Sequence, residues 1–171
     1  MSARIRPIHI YIIILISIFL ISGVFLLFTE QKKFLDRINI DGNEYLFNTN
    51  LYEVANIPSD NNEKIKNILD KNNKICISFD NSSEFDNAIF AVASFNLVYK
   101  LTRYYYTKGV EKTFEVCNQK PLIEFRGPNT GAKENSVRLE NEKIIIQGMN
   151  KKEVEMATDK LILIVFDVRL S

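Results

Sequence analysis

The sequence predicts an α/β protein, an α+β sandwich with helices packed on a mixed sheet, preceded by one N-terminal transmembrane helix. Two observations lead to this fold class. Residues 7–28 contain no charged side chain, which is typical of a membrane span. After them, short runs with apolar residues at every second position alternate with longer runs at helical spacing. Such an alternation is typical of layered folds in which helices cover a sheet.

The uncharged run is long enough to cross a bilayer. As a helix rising about 1.5 Å per residue, it covers roughly 32 Å, against a hydrocarbon core of about 30 Å. The alternative is a cleaved signal peptide that begins with Arg4 and Arg6, but no A-x-A-like cleavage site follows the run. We therefore predict a short basic tail (1–6), a transmembrane helix (7–28), a juxtamembrane stalk (29–38) and a globular domain (39–171).

Basic residues lie on both sides of the span and leave its orientation nearly balanced. Arg4 and Arg6 precede it, and Lys32, Lys33 and Arg37 follow it. Basic residues, rather than acidic ones, decide which side stays in the cytoplasm. The short, acid-free N-terminal tail favours a signal anchor, with the tail inside and the domain outside. We predict a single-pass protein of the cell membrane with an extracytoplasmic domain; a cytoplasm-facing domain is the alternative.

The first half of the domain is predicted to form a hairpin, a helix and a strand. Asp41-Gly42 is a hairpin turn signal, and Ser59 or Asp60 is expected to cap the helix. The predicted elements are a hairpin of residues 37–40 and 44–47, a helix of residues 59–71 and a buried strand of residues 74–79.

The second half begins with a long helical segment and ends with an amphipathic helix. β-Branched and aromatic residues leave a strand open for the second half of the long segment, and Gly109 is expected to stop it. Asn150 and Glu153 resemble a capping box for the last helix. The predicted elements are a helix of residues 87–107, strands of residues 110–117 and 122–125, a hairpin of residues 136–139 and 143–147, and a helix of residues 151–167.

Composition argues against several kinds of function. The chain has 22 basic and 21 acidic residues, and no run of like charge exceeds two residues. Nucleic-acid binding is not expected, because it needs a basic stripe to engage phosphates. The single histidine, His9, lies in the predicted span, so the domain lacks imidazole for nucleophilic catalysis or for the usual zinc sites. We expect no catalytic residue, no metal site and no cofactor.

Four groups of residues are candidates for a specific role. Cys76 and Cys117 are either disulfide-bonded or two buried thiols, and the sequence leaves both alternatives open. Asn81 begins the only N-x-[ST] sequon and is a candidate for glycosylation outside the cell. Three consecutive tyrosines, residues 104–106, are expected to divide between core and surface.

The fourth group is a candidate binding loop of Gly127, Pro128, Asn129, Thr130 and Gly131. It follows a predicted strand, as a phosphate-binding loop does. However, its glycine spacing is one residue short of the P-loop pattern, and Lys133 does not directly follow the second glycine. A structured turn is therefore the better account.

The C-terminal part of the chain contains a distinctive series of segments: GPNTGA (127–132), NSV (135–137), IIIQG (144–148), Glu153, Ala157 and DKLILI (159–164). In these segments the chain resembles small membrane-anchored archaeal proteins, including parts of cell-surface proteins. The resemblance covers about a quarter of the chain. It implies a location in the cell envelope and no particular activity.

These observations favour a non-enzymatic domain, anchored in the lipid bilayer through residues 7–28, that binds a protein partner in the membrane or envelope. A first alternative is a cytoplasm-facing accessory subunit of a membrane complex. A second alternative is a carboxylate-dependent enzyme that acts on envelope glycans.

Overall fold

The structure, a computed structural model, describes residues 36–79 and 84–169. The predicted span (7–28) and the sequon at Asn81 lie outside the described residues. Among the described helices, none is both long enough and apolar enough to cross a membrane.

The described residues form seven strands and four helices, beginning with a hairpin and ending with a helix. In chain order the elements are β1 (Asp36–Ile40), β2 (Asn43–Phe47), α1 (Leu51–Ala55), α2 (Asn62–Lys71), β3 (Lys74–Phe79), α3 (Glu84–Thr107), β4 (Thr113–Val116), β5 (Leu122–Arg126), β6 (Ser136–Glu140), β7 (Lys143–Gln147) and α4 (Lys151–Phe166).

The main sheet has five strands in the order β4-β3-β5-β7-β6. Strands β4, β3, β5 and β7 are parallel, and β6 is antiparallel to β7. Helices α3 and α4 pack against each other and against the sheet, and α1 and α2 pack against α4. The predicted mixed sheet covered by helices is therefore confirmed. Strands β1 and β2 form the predicted hairpin as a separate two-stranded sheet.

The hydrophobic core lies between one face of the sheet and the helices. Alternate strand residues point into it, as the period of a strand requires. Helix α4 is buried on nearly all sides, as is typical of a helix that is apolar around its whole circumference. The sheet contributes Ile75, Ile77, Ile123, Phe125, Val137, Ile144 and Ile146, and α4 contributes Val154, Ala157, Leu161, Ile162 and Val165.

Helix α2 begins later than predicted, at Asn62, because the preceding residues pair with β6. The backbone N–H of Val137 donates to Pro58 O, and Asp60 N donates to Val137 O. This bridge holds the chain extended, so Asn61 caps the helix and its side chain accepts from Lys64 N. The prediction that Ser59 or Asp60 caps the helix is wrong.

Helix α3 is continuous, so the strand alternative for its second half is wrong. It starts at Glu84, three residues before the predicted position. Its buried residues Phe90, Ala93, Leu97 and Leu101 follow helical spacing and pack into the core. Gly109 takes a positive φ of 72° just after the helix, and the predicted stop is confirmed.

Three other boundaries differ from the prediction. Strand β4 covers Thr113–Val116 of the predicted residues 110–117, and just before it the buried Lys112 Nζ donates to the carbonyl oxygens of Asp70 and Asn72. The short helix α1, capped by Asn50, was not predicted, since five residues are too few to show helical periodicity. Residues 36–38, predicted as stalk, belong to β1.

We predict that Phe90→Ala lowers the free energy of unfolding by about 3–5 kcal/mol, because it empties a fully buried site. The Phe90 ring centroid lies 5.8 Å from that of Phe125 and 6.1 Å from that of Phe79. The matched control is Phe95→Ala on the same helix, where the side chain is exposed and the expected change is within about 0.5 kcal/mol. Urea unfolding of the detergent-solubilised chain, followed by circular dichroism, measures both; equal losses would contradict the packing described.

Candidate binding surfaces

The face of the main sheet that points away from the core carries a group of long charged side chains. Strand register places Glu124, Ile145 and Arg138 side by side across β5, β7 and β6. Ile145 is fully buried beneath the charged side chains around it. All four described helices lie on the opposite side. We call this surface the open sheet face, and it comprises Glu124, Arg126, Arg138, Glu140, Lys143 and Ile145.

Ion pairs connect most of the charges on the open sheet face. Arg126 Nε donates to Glu124 Oε1 at 2.7 Å, and Lys143 Nζ donates to Glu124 Oε2 at 3.1 Å. Arg126 also lies 3.5 Å from a carboxylate oxygen of Glu140. Burial acts to raise the pKa of Glu124, but the hydrogen bonds from Arg126 and Lys143 outweigh it and hold that pKa below its usual value. The contacts limit side-chain motion and give the surface a defined pattern of charge.

The candidate binding loop is a structured turn against the start of α3. The buried carboxylate of Asp86, in the first turn of α3, accepts from Asn129 N at 3.1 Å. A negative charge is favoured there by the helix dipole. A Cβ at Gly127 would lie 2.9 Å from Asp86 Cγ, so any other residue there would require the Asp86 carboxylate to move. Gly131 has a φ of +90°, and Gly127 N donates to Thr130 Oγ1. The expectation of a structured turn agrees with these contacts.

The two cysteines are joined in a disulfide where the chain crosses β3. Strand β4 pairs with one edge of β3 and β5 with the other, so residues 117–121 must pass from one side to the other. Cys117 begins this crossing and is bonded to Cys76 on β3, with their Cα atoms 5.0 Å apart. Cys76 N also donates to Pro121 O at 3.0 Å. Of the two alternatives that the sequence left open, the structure contains the disulfide.

A buried ion pair lies between the two long helices. The Asp159 carboxylate of α4 accepts from Lys100 Nζ at 3.1 Å, from Thr49 Oγ1 at 2.6 Å and from Asn96 Nδ2 at 3.3 Å. Lys100 Nζ also lies 3.8 Å from the centroid of the Phe47 ring. Burial lowers the pKa of Lys100 and raises the pKa of Asp159, while the pairing opposes both shifts.

The positions of the buried ion pair and of the glutamates on the open sheet face indicate whether these groups can act on a substrate. The side chains of Lys100 and Asp159 are 4% and 1% exposed, so the pair is out of reach of a substrate and has a structural role. Glu124 and Glu140 both contact Arg126 on a sheet face rather than in a cleft. Within residues 36–79 and 84–169, no group of three or more His, Cys, Asp or Glu side chains is placed to hold a metal ion.

Helix α3 exposes a line of apolar side chains on the side opposite the core. Val92, Phe95, Tyr99 and Tyr106 are 56%, 73%, 55% and 80% exposed. We call these four residues the α3 outer face. The rings of Phe95 and Tyr99 are nearly parallel, with centroids 6.4 Å apart. A shallow groove of about 400 Å³ runs along them and is bounded by Arg103.

The sequence indicates only part of the α3 outer face. Of the three consecutive tyrosines, Tyr104 and Tyr105 are buried and Tyr106 is exposed, so the expected division is confirmed. The spacing of Phe95, Tyr99 and Tyr106 is helical and would place them on one side of a helix. The sequence did not single out this exposed side, because α3 has apolar residues on several sides. The side that faces the core could therefore not be distinguished from the side that faces solvent.

Comparison of the chain with protein-family models, with curated proteins and with solved structures found no match. The resemblance to small membrane-anchored archaeal proteins therefore stays a prediction.

We predict that denatured, unreduced protein takes up no thiol-alkylating reagent and that prior reduction allows two additions, at Cys76 and Cys117. Mass spectrometry counts the additions. Loss of the bond in Cys76→Ser/Cys117→Ser should lower stability by about 2–5 kcal/mol, because the bond closes a long loop in the unfolded chain. Two additions without reduction would rule out the disulfide.

We predict that Lys100→Met lowers the free energy of unfolding by about 3–5 kcal/mol, because it leaves the Asp159 carboxylate buried without its cation. The double variant Lys100→Met/Asp159→Leu should be more stable than Lys100→Met, since the unpaired charge is gone. Lys71→Met, at an exposed position of α2, is the control and should change stability by less than about 0.5 kcal/mol. Chemical denaturation measures all three, and additive effects of the two substitutions would show that the pair is not coupled.

Proposed function

We propose that this chain is a non-enzymatic, membrane-tethered domain of the cell envelope that binds a protein partner through the open sheet face. One observation carries the proposal. Four of the five strands are parallel, yet the described helices cover only one face of the sheet. Largely parallel sheets are generally covered on both faces. A partner protein would supply the second layer that the described part of the chain does not.

The chemistry of the open sheet face favours a protein partner over a small ligand. The surface presents Arg126, Arg138 and Lys143 beside Glu124 and Glu140, above apolar Ile145. Charges of both signs in fixed positions select a partner by complementarity. Because ion pairs already hold several of these side chains, binding orders fewer of them and loses less conformational entropy.

The location of the domain rests on the span and on the disulfide. The uncharged run of residues 7–28 supports a tether in the bilayer. The bond between Cys76 and Cys117 supports an extracytoplasmic domain, because disulfides persist mainly in oxidising compartments. Glycosylation of Asn81 stays a prediction that depends on this orientation. The absence of histidine from the domain sequence supports a non-enzymatic role.

We predict that the double substitution Arg138→Glu/Lys143→Glu weakens binding of the partner protein, because it reverses two charges on the open sheet face. The tagged full chain is purified from its native membranes, and proteins that accompany it are measured by quantitative mass spectrometry. Recovery of the partner should fall at least about tenfold, equivalent to about 1.4 kcal/mol.

The matched control is Lys64→Glu/Lys71→Glu, which makes the same charge change at exposed positions of α2. Partner recovery should stay unchanged in this control, and thermal unfolding of both variants checks that they fold. A partner that is kept by the sheet variant, or lost equally from both, would argue against the open sheet face. Protease treatment of intact cells tests the orientation: a fully protected domain would favour the cytoplasm-facing accessory subunit instead.

A further inference from the structure

The α3 outer face is a second exposed surface, and its chemistry differs from that of the open sheet face. It presents Val92, Phe95, Tyr99 and Tyr106 to solvent in one line. Exposed apolar patches of this kind mark contact sites for membranes or proteins. The two surfaces lie on opposite sides of the domain. Helix α3 packs on the core side of the sheet, and the open sheet face is the other side.

The charges of α3 distinguish between possible occupants. From residue 87 to residue 109 the sequence contains no aspartate or glutamate. Its bases are Lys100, which is buried with Asp159, Arg103, which borders the groove, and Lys108, whose Nζ pairs with Asp41 in the turn between β1 and β2. A helix side with aromatic and apolar residues, bordered by an arginine and with no acidic residue of its own, is typical of contact with the headgroup region of a bilayer.

The short segment between the uncharged run and β1 also supports contact of the α3 outer face with the bilayer. Only residues 29–35 separate the uncharged run from β1, and seven residues reach at most about 24 Å when fully extended. β1 enters the domain beside the second half of α3, since Asp36 pairs with Phe47, whose ring contacts Lys100 on the buried side of that helix. A short tether also keeps the local concentration of lipid high, so a weak contact is sufficient.

We propose that the α3 outer face rests on the phospholipid headgroup region of the bilayer that holds residues 7–28. Phe95, Tyr99 and Tyr106 enter the interface, and Arg103 lies at the level of the phosphates. The contact is mainly apolar, which agrees with the near-zero net charge of the chain. This inference rests on the proposed membrane tether but not on the proposed protein partner. It orients the open sheet face away from the membrane.

The absence of tryptophan from the chain makes a direct test possible. The full-length Phe95→Trp variant carries a single tryptophan and is reconstituted into phosphatidylcholine vesicles with or without brominated acyl chains. Bromine quenches tryptophan that lies in the bilayer interface. We expect brominated lipid to reduce the emission, because the apolar side of an interfacial helix is buried at the boundary between headgroups and acyl chains. Tyr106→Trp, at the other end of the same surface, should behave in the same way.

The matched control is Glu140→Trp, which places the tryptophan on the open sheet face. Brominated lipid should leave its emission unchanged. If Phe95→Trp and Tyr106→Trp are as insensitive to bromine as the control, the contact with lipid is wrong. Chemical cross-linking in the same vesicles then shows whether a second copy covers the surface, an outcome that also overturns the proposal.

Vesicle flotation separates the two proposals. Protein that does not float with the vesicles lacks the membrane tether, and the proposed function fails together with the inference. Protein that floats but shows no quenching keeps the tether and loses only the contact of α3 with lipid. Circular dichroism of each variant confirms that the substitution, at an exposed position, leaves the fold intact.

Discussion

The burial of helix α4 is the constraint on which the rest of the domain depends. The helix packs against α1, α2, α3, β6 and β7, and most of its residues are removed from water. Full burial of each large apolar side chain contributes about 1.5–3 kcal/mol. Asp159 is a charged residue on the buried surface of α4. Its carboxylate is stable there only because hydrogen-bond donors surround it. Lys100, Asn96 and Thr49 supply them, and rotating α4 would break these contacts. The apolar residues therefore position α4, and the ion pair selects its rotation.

The position of the buried helix α4 determines where the open sheet face and the α3 outer face lie. In the described part of the chain, the helices α1, α2 and α3 pack around α4 on one side of the sheet, and residues 117–121 cross β3 on the other side. Helix α3, at the outside of the helical layer, has a side that nothing in the described part of the chain covers. The domain thus has two surfaces of opposite chemistry on opposite sides, one charged and one aromatic. They can act together without competing for the same contacts.

Local signals in the sequence predicted the elements well, and long-range pairing explains the errors. The Asp41-Gly42 turn and the Asn150–Glu153 capping pair depend on neighbouring residues and were found from the sequence. The late start of α2 depends on pairing between Ser59 and Val137, which are far apart in the chain. The disulfide depends in the same way on the register of β3 with β4 and β5. Glu124 and Arg138 meet on the open sheet face only because β7 lies between their strands.

The disulfide links the location of the domain to the shape of its candidate partner surface. Cys76 points to the same side of the sheet as Glu124, and residues 117–121 cross β3 on that side. In a reducing compartment the crossing would be held by backbone hydrogen bonds, such as Cys117 N to Ile77 O. In an oxidising compartment the covalent bond holds it as well, and the border of the open sheet face is fixed. An extracytoplasmic domain is therefore the orientation in which this surface is best ordered to receive a partner.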